Sequence, residues 1–415
     1  MIGHKTKVMY KFGTTGKLLE WSCHTDGAKV VTVTGEEGGK LQEHVYTAEA
    51  KNIGRANETT PEEQAQVELE AHYTSQETNA HYRYSEEEAN VFFENNNIPR
   101  KIHNYKDHAS KLPDTCYTST KANGSRACVV GGKLYSKIGR VEEIKVKHLR
   151  EAVEKVALSS CPDFDAEVYA HGLSLQRIRS AWLKPIKANK EIISMANKRL
   201  KSRKVGTKCV DLNDAIEILG YNPNEDALKL KFYVFDMPVE DVSMKHRIHM
   251  MKTFEYSVVK DLRLSDVFEF LYPVETHSTQ ERLALRNKVV ADGWEGLVHA
   301  APDDLYTFNT KVYTTLKDKP RYDAEALVVG VEMCKNGDGK LLLEAADVLD
   351  NVSFKCMMKV NRRDGNTYGR SYEEMQKLVG NWVTFSYEEL SGAGVPTKPV
   401  GEEVRKCNSK GEPLE

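Results

Sequence analysis

Residues 164 to 171, FDAEVYAH, alternate without a break: Phe164, Ala166, Val168 and Ala170 fall on one side, and Asp165, Glu167, Tyr169 and His171 on the other. A period of two describes a strand with one face against a core. Such a strand commits the chain to a sheet with an apolar layer beneath it. Around it, strand and helix signals alternate. TCYTSTKANGSRACVVGGKLYSK predicts strand, loop, strand, with Gly131-Gly132 as a turn. Residues 142–158 suit a helix and a long helical segment comes later; KLKFYVFDM is expected as a buried strand. Two further amphipathic stretches lead to a short strand at EGLVHA. Strands spaced so irregularly do not fit a doubly wound parallel sheet, so the class is α+β.

The two ends read differently. Residues 1 to about 60 are rich in Gly, Thr and β-branched residues, with alternation in KVVTVTG, and predict a small antiparallel β unit. A helix start follows at Thr60-Pro61, with Glu62 and Glu63 in its first turn. ENNNIPR then reads as a linker. From 321 onward EALVVGVEMC, GKLLLEAADV, VSFKCMMKV and NWVTFSYEEL are four strand candidates, with NGDG as a hairpin turn and SYEEMQKLV as a short helix. That density of short strands fits a small barrel such as an OB-fold.

A length of 415 residues, 40% hydrophobic and 29% charged, excludes a disordered or fibrous chain and indicates two or three domains. No apolar run approaches the ~18–20 residues of a spanning helix, and the first twenty residues lack the apolar core of a secretory signal. Eight cysteines without a CxxC pair read as reduced thiols, and thirteen histidines show no metal-ligand spacing. The expectation is a cytoplasmic protein with no membrane partner. A net charge of −2 announces no nucleic-acid binder, yet RIRSAWLKPIKANKEIISMANKRLKSRKVGTK (177–208) holds only one acid, Glu191, among many cations. This stretch suits either a polyphosphate contact or a solvated helix face.

The sharpest chemical signal is Lys121-Ala-Asn-Gly-Ser-Arg126, expected in a loop between strands. A lysine becomes a nucleophile when its amine, ordinarily near pKa ~10.4, is deprotonated by desolvation or nearby positive charge. Gly124 permits close backbone approach to a ligand, and Arg126 can take a phosphate on two nitrogens. KANGSR is followed in order by DAEVYAHG, FYVFDM, WEGLVHA and LKDKP.

That order resembles the covalent nucleotidyltransferase superfamily: ATP-dependent DNA ligases, RNA ligases and messenger RNA capping guanylyltransferases. The resemblance puts Lys121 on the family's motif I lysine, Glu167 on the motif III glutamate and Phe235 on the base-stacking aromatic. Glu295 falls on the motif IV glutamate, Lys317 and Lys319 on motif V. It implies attack of Lys121 on the α-phosphate of ATP, giving lysyl-AMP and pyrophosphate. Lys317 and Lys319 would lower the amine's pKa and stabilise phosphoryl charge. Glu167 and Glu295 would hold Mg²⁺ or Mn²⁺, with Glu167 alternatively on a ribose hydroxyl. Thr120 would serve adenine through its backbone, Arg126 the nucleotide or DNA. Asn123 stands where the family carries an acid, and Ser119 where ligases often have Glu or Gln.

The ending VTFSYEELSGAGVPTKPVGEEVR resembles small bacteriophage DNA ligases, and RACVVGGKLYSKIGR the ligase stretch after motif I, with Lys137 at a position usually occupied by arginine. YKFGTTGKLLEWSCHTDG and AKNIGRANETTPEEQAQVE resemble a WGR-type module, with Ile53-Gly54-Arg55 nearest the diagnostic triplet. The resemblance therefore implies a WGR-like β-rich module (1–95), an adenylation domain of antiparallel sheets with helices (96–320) and an OB-fold (321–415). The implied activity is sealing of 5′-phosphate/3′-hydroxyl nicks in duplex DNA by a monomer. Arg126, Lys137, Lys198, Arg199, Lys201, Arg203 and Lys204 would contact DNA. An RNA ligase and a catalytically degenerate nick-binding protein are the alternatives.

Overall fold

The computed structural model describes residues 7–13, 16–94, 97–202, 206–334, 337–345, 352–359, 370–391 and 394–414. The chain divides into two compact units, Glu94–Lys319 and a second that combines Met1–Phe93 with Pro320–Glu415. No helix among the described residues is long and apolar enough to cross a membrane.

The N-terminal segment forms a four-stranded antiparallel meander, Val8–Phe12, Leu18–Asp26, Lys29–Glu36 and Gln42–Thr47 in sequence order. Helix Pro61–Thr78 starts at the expected signal. Thr60 accepts from Glu63 N at 3.2 Å while the Glu63 carboxylate accepts from Thr60 N at 2.9 Å, so two orphan amides are satisfied at once. Its Ala65 and Leu69 pack with Met9, Trp21, Cys23 and Val30.

The C-terminal segment is a closed barrel in the order Tyr322–Met333, Gly339–Ala345, Ser353–Met358, Val400–Arg405 and Trp382–Tyr387. The fifth strand, Val400–Arg405, was not among the four strand candidates; it pairs in parallel with Ser353–Met358 and closes the sheet. The short helix is Tyr372–Gln376, and Met375 seals the barrel interior. Asn336 of the expected hairpin turn lies outside the described residues.

The Glu94–Lys319 unit is built on two five-stranded sheets. The first runs Val274–Thr276, Cys116–Lys121, Gly296–Ala300, Lys311–Asp318, Lys101–Asn104; the second runs Phe268–Phe270, Lys231–Asp236, Phe164–Tyr169, Ser125–Val130, Lys133–Tyr135. Most pairs are antiparallel, with a parallel pair at one edge of each sheet. Val130 and Lys133 close a two-residue hairpin in which Gly131 and Gly132 both take positive φ, 56° and 74°, as a type I′ turn requires.

Two strand expectations change. Phe164–Tyr169 is buried on both faces: Phe164, Ala166 and Val168 enter the main core, while Asp165 is 0% and Tyr169 3% exposed on the other side. Lys231–Asp236, expected to be buried throughout, instead alternates, with Phe232, Val234 and Asp236 buried and Lys231, Tyr233 and Phe235 half-buried. On the second face Asp165 meets Arg126 and Tyr306, while Tyr169 and Tyr233 pack against Trp294.

Candidate active site

Lys121 is the last residue of a strand, where sequence had put it in a loop. It is in register with Gly296 of the neighbouring strand, and Glu295 N donates to Lys121 O at 3.1 Å. Gly296 has φ 150°, and a Cβ there would sit 2.2 Å from Asp318 O, so the close approach of the strand that bears Lys317 depends on glycine. Val298 lies between Ser119 on one side and Lys317 on the other.

From Lys121 the chain crosses out of this sheet and enters the other at Ser125. The crossing is held by Gly124, whose N–H donates to Glu167 Oε1 at 3.1 Å. A Cβ on Gly124 would stand 2.2 Å from Val168 O, so its freedom is used against the protein's own backbone. Gly124→Ala should destabilise this unit by about 1–3 kcal/mol through overpacking. Urea unfolding of the variant, compared with the parent chain, checks this.

The charges converge on Glu295. One carboxylate oxygen lies 2.6 Å from Lys121 Nζ; the other is bonded by Lys319. Burial alone would lower the Lys121 amine, but Glu295 and Glu167 outweigh it and hold it above its ordinary value. Lys319 shares the Glu295 carboxylate with that amine, and the two glutamates set the direction of its shift. Burial also raises the Glu295 carboxyl, yet Lys121 and Lys319 bring it below its ordinary value. Glu167 is different: burial pushes it up to about 7 against the pull of Lys121 and Arg126.

Glu167 lies in register between Arg126 and Tyr233. Arg126 turns its fork onto Asp165, with Nε at 3.0 Å from Oδ1, and donates through Nη1 to Arg100 O at 2.7 Å. Its guanidinium carbon is 5.5 Å from the centre of the Phe235 ring. The structure thus gathers Lys121, Glu167, Glu295 and Lys319, with Arg126 beside Glu167 and Phe235 beside Arg126. Thr120 pairs with Leu297 in the same sheet, and Lys317 is half-buried one strand further on.

The remaining candidates lie elsewhere. Lys137 follows the edge strand Lys133–Tyr135, and Lys198, Arg199 and Lys201 occupy helix Asn189–Ser202. Arg199 donates to Leu219 O. Arg203 and Lys204 lie outside the described residues.

Sequence reasoning missed the layer behind the site. Arg247, fully buried, pairs with Asp236 at 2.6 Å and Asp304 at 2.8 Å; Arg100 pairs with the same two at 3.0 and 2.6 Å. Tyr306 donates to Asp165 Oδ2 at 2.8 Å. With Arg126 and Asp165 this makes three arginines against three aspartates, linking both sheets. The one available signal was Asp165, a second carboxylate beside Glu167 in a short strand.

Glu167 and Glu295 offer hard oxygen donors, which suit Mg²⁺ or Mn²⁺. No group of three or more His, Cys, Asp or Glu side chains is poised for a metal among the described residues.

No protein-family model and no curated protein matches the sequence. Solved structures do. The chain is similar to a Lig E DNA ligase from a study of DNA binding with a minimal scaffold, at 20% identity and TM-score 0.52, covering 74% of this chain and 98% of the other. The fold is that of DNA ligases. Pmar-Lig_PreS3 shares the ligase fold at 17% identity and TM-score 0.53, covering 77% of this chain and 70% of its own. The Chlorella virus DNA ligase-adenylate, at TM-score 0.38, is too distant to add to this. Within the ligase fold, the two sheets and the barrel correspond to adenylation and OB-fold domains.

Proposed function

We propose that this chain is an ATP-dependent DNA ligase that seals 5′-phosphate/3′-hydroxyl nicks in duplex DNA. One observation carries the reading: a half-buried lysine at a strand end faces Glu295, with Lys319 on the opposite carboxylate oxygen and Glu167 across the crossing. The Lys121 amine, once deprotonated, attacks the α-phosphorus of ATP; an N–P bond forms and the bond to pyrophosphate breaks. The AMP then passes to the DNA 5′-phosphate, and the 3′-hydroxyl displaces it. Phe235 would stack on adenine, with Thr120 and Arg126 at the nucleotide and Lys317 and Lys319 toward the phosphates. Glu167 and Glu295 would hold a divalent cation, which supplies charge neutralisation on the phosphates.

Charge favours the middle of the chain as the DNA contact. Residues 96–320 contain 37 Lys and Arg against 29 Asp and Glu, whereas residues 1–95 contain 9 against 16. We therefore assign DNA to the adenylation domain, with Lys137, Lys198 and Lys201 toward phosphates. The N-terminal segment keeps the WGR-like reading on its four strands and helix alone, because its acidity repels a polyanion. Sealing of a labelled nicked duplex with ATP and Mg²⁺, beside the same nick in RNA, tests the proposal; no sealing of DNA would sink it.

Adduct formation should rise with pH between about 6 and 8. Glu167, with its carboxyl near 7, loses its proton across that range, and the Lys121 amine, held above its ordinary value, loses more of its proton in the same direction. The folded chain keeps the Glu167 proton between the ordinary carboxyl value and about 7, where the unfolded chain has lost it. Its stability contribution therefore falls as pH rises through that window. Glu167→Gln should remove the inflection near 7; an unchanged profile would exclude Glu167 as its source.

A further inference from the structure

Between the strands Phe164–Tyr169 and Lys231–Asp236 lies a helical lobe, part of which has its own small core of Ile192, Ala196, Cys209, Ala215 and Leu219. Helices Leu175–Leu183 and Asn189–Ser202 meet at a corner that is tied down by a buried lysine. Lys187 Nζ donates to Ser180 O at 3.2 Å and Lys184 O at 2.7 Å, closing the end of the first helix. Its backbone N–H donates to Asn224 Oδ1 at 2.8 Å, and Asn224 returns a bond to Lys187 O at 3.2 Å. This rigid corner leaves Leu183 53% and Ile186 79% exposed. Holding two large aliphatic side chains out of the core contributes nothing to stability.

Cations flank the corner. Arg179 lies one turn before Leu183. Lys190, Lys198 and Lys201 line the exposed face of helix Asn189–Ser202, opposite buried Ile192 and Ala196. Among the described residues no carboxylate pairs with any of these four; the one acid of the stretch, Glu191, pairs with Lys184. At a rise of ~1.5 Å per residue the lysine stripe is about 16 Å long, matching a run of phosphates along one strand of a duplex. Its complement is a regularly spaced polyanion with sugar carbons and thymine methyls beside the phosphates, which a DNA duplex offers.

We propose that this lobe is a second grip on duplex DNA: the lysine stripe follows one strand's phosphates, while Leu183 and Ile186 enter the adjoining groove. Aliphatic side chains make such contacts with sugars and base edges, and the cations supply affinity without sequence preference. The proposal rests on the ligase reading for its partner.

The test is fluorescence anisotropy of the full chain on a nicked duplex, without ATP, over a series of salt concentrations. Lys190→Gln/Lys198→Gln/Lys201→Gln should reduce the slope of log affinity against log salt by about 2–3, near 0.9 for each phosphate no longer neutralised. Ile186→Ser should weaken binding about tenfold at every salt concentration and leave the slope alone, as removal of apolar burial does. A control triple on another exposed surface, Lys145→Gln/Lys147→Gln/Lys155→Gln, should keep the parent slope. An unchanged slope in the first triple, or unchanged affinity for Ile186→Ser, would overturn the proposal. Intact mass of the parent chain after ATP treatment separates this from the ligase reading. Duplex binding through the lobe without any AMP adduct removes the catalysis and keeps the grip; an adduct with no slope change does the reverse.

Discussion

Lys121→Ala is expected to form no AMP adduct, whereas the parent chain, stripped with pyrophosphate and incubated with ATP and Mg²⁺, gains one AMP. The intact mass reads both. The expectation follows from placement: Lys121 ends the strand that leads into the Gly124 crossing beside Glu167, whereas Lys317 lies on a strand beyond Val298. Lys121→Arg should fail as completely, since a guanidinium keeps its proton at any usable pH. Glu295→Gln separates two roles. Removing that charge takes away the largest influence holding the Lys121 amine up, so more of the amine is free at neutral pH. A variant with faster adduct formation would mean that Glu295 only restrains the lysine; a slower one would mean that its charge serves the reaction directly. An adduct on Lys121→Ala would refute the assignment of the nucleophile.

Arg247→Met is expected to destabilise the Glu94–Lys319 unit by about 3–5 kcal/mol, the range for removing one partner of a buried ion pair. Arg247 is wholly buried and donates to Asp236, Asp304 and the carbonyls of Val242 and Asp304. Methionine fills much of the space but leaves two buried carboxylates with Arg100 as their one cationic partner among the described residues. A fall in melting temperature on the order of 10 °C follows for a unit of this size. Calorimetry of the full chain, in which the other unit supplies an internal reference transition, checks it. A shift of only a degree or two would mean that water or rearrangement of Arg100 satisfies the aspartates.

How legible was this in the sequence? The α+β class, the N-terminal strands and the helix at Thr60 were readable because their signals are local: alternation, a capping pair, a two-glycine turn. The order of Lys121, Glu167, Phe235, Glu295 and Lys319 was readable as a resemblance. What was not readable came from groups distant in the chain. Asp165 reads as a solvated strand residue until Arg126 and Tyr306 are seen upon it. Arg100, Arg247 and Asp304 carry no spacing signature at all. The direction of the Lys121 shift was unreadable for the same reason: it is set by Glu295 and Glu167, both distant in the chain.

The crossing at Gly124 has a kinetic consequence. Lys121 and Glu167 belong to different sheets, and Glu295 reaches Lys121 from far along the chain, so nearly every contact that sets the state of the amine is non-local. Non-local pairings form late and slowly during folding. A newly made chain should therefore acquire its helices and hairpins well before it can react with ATP. Timed quenching during refolding would find AMP incorporation as one of the last properties to appear.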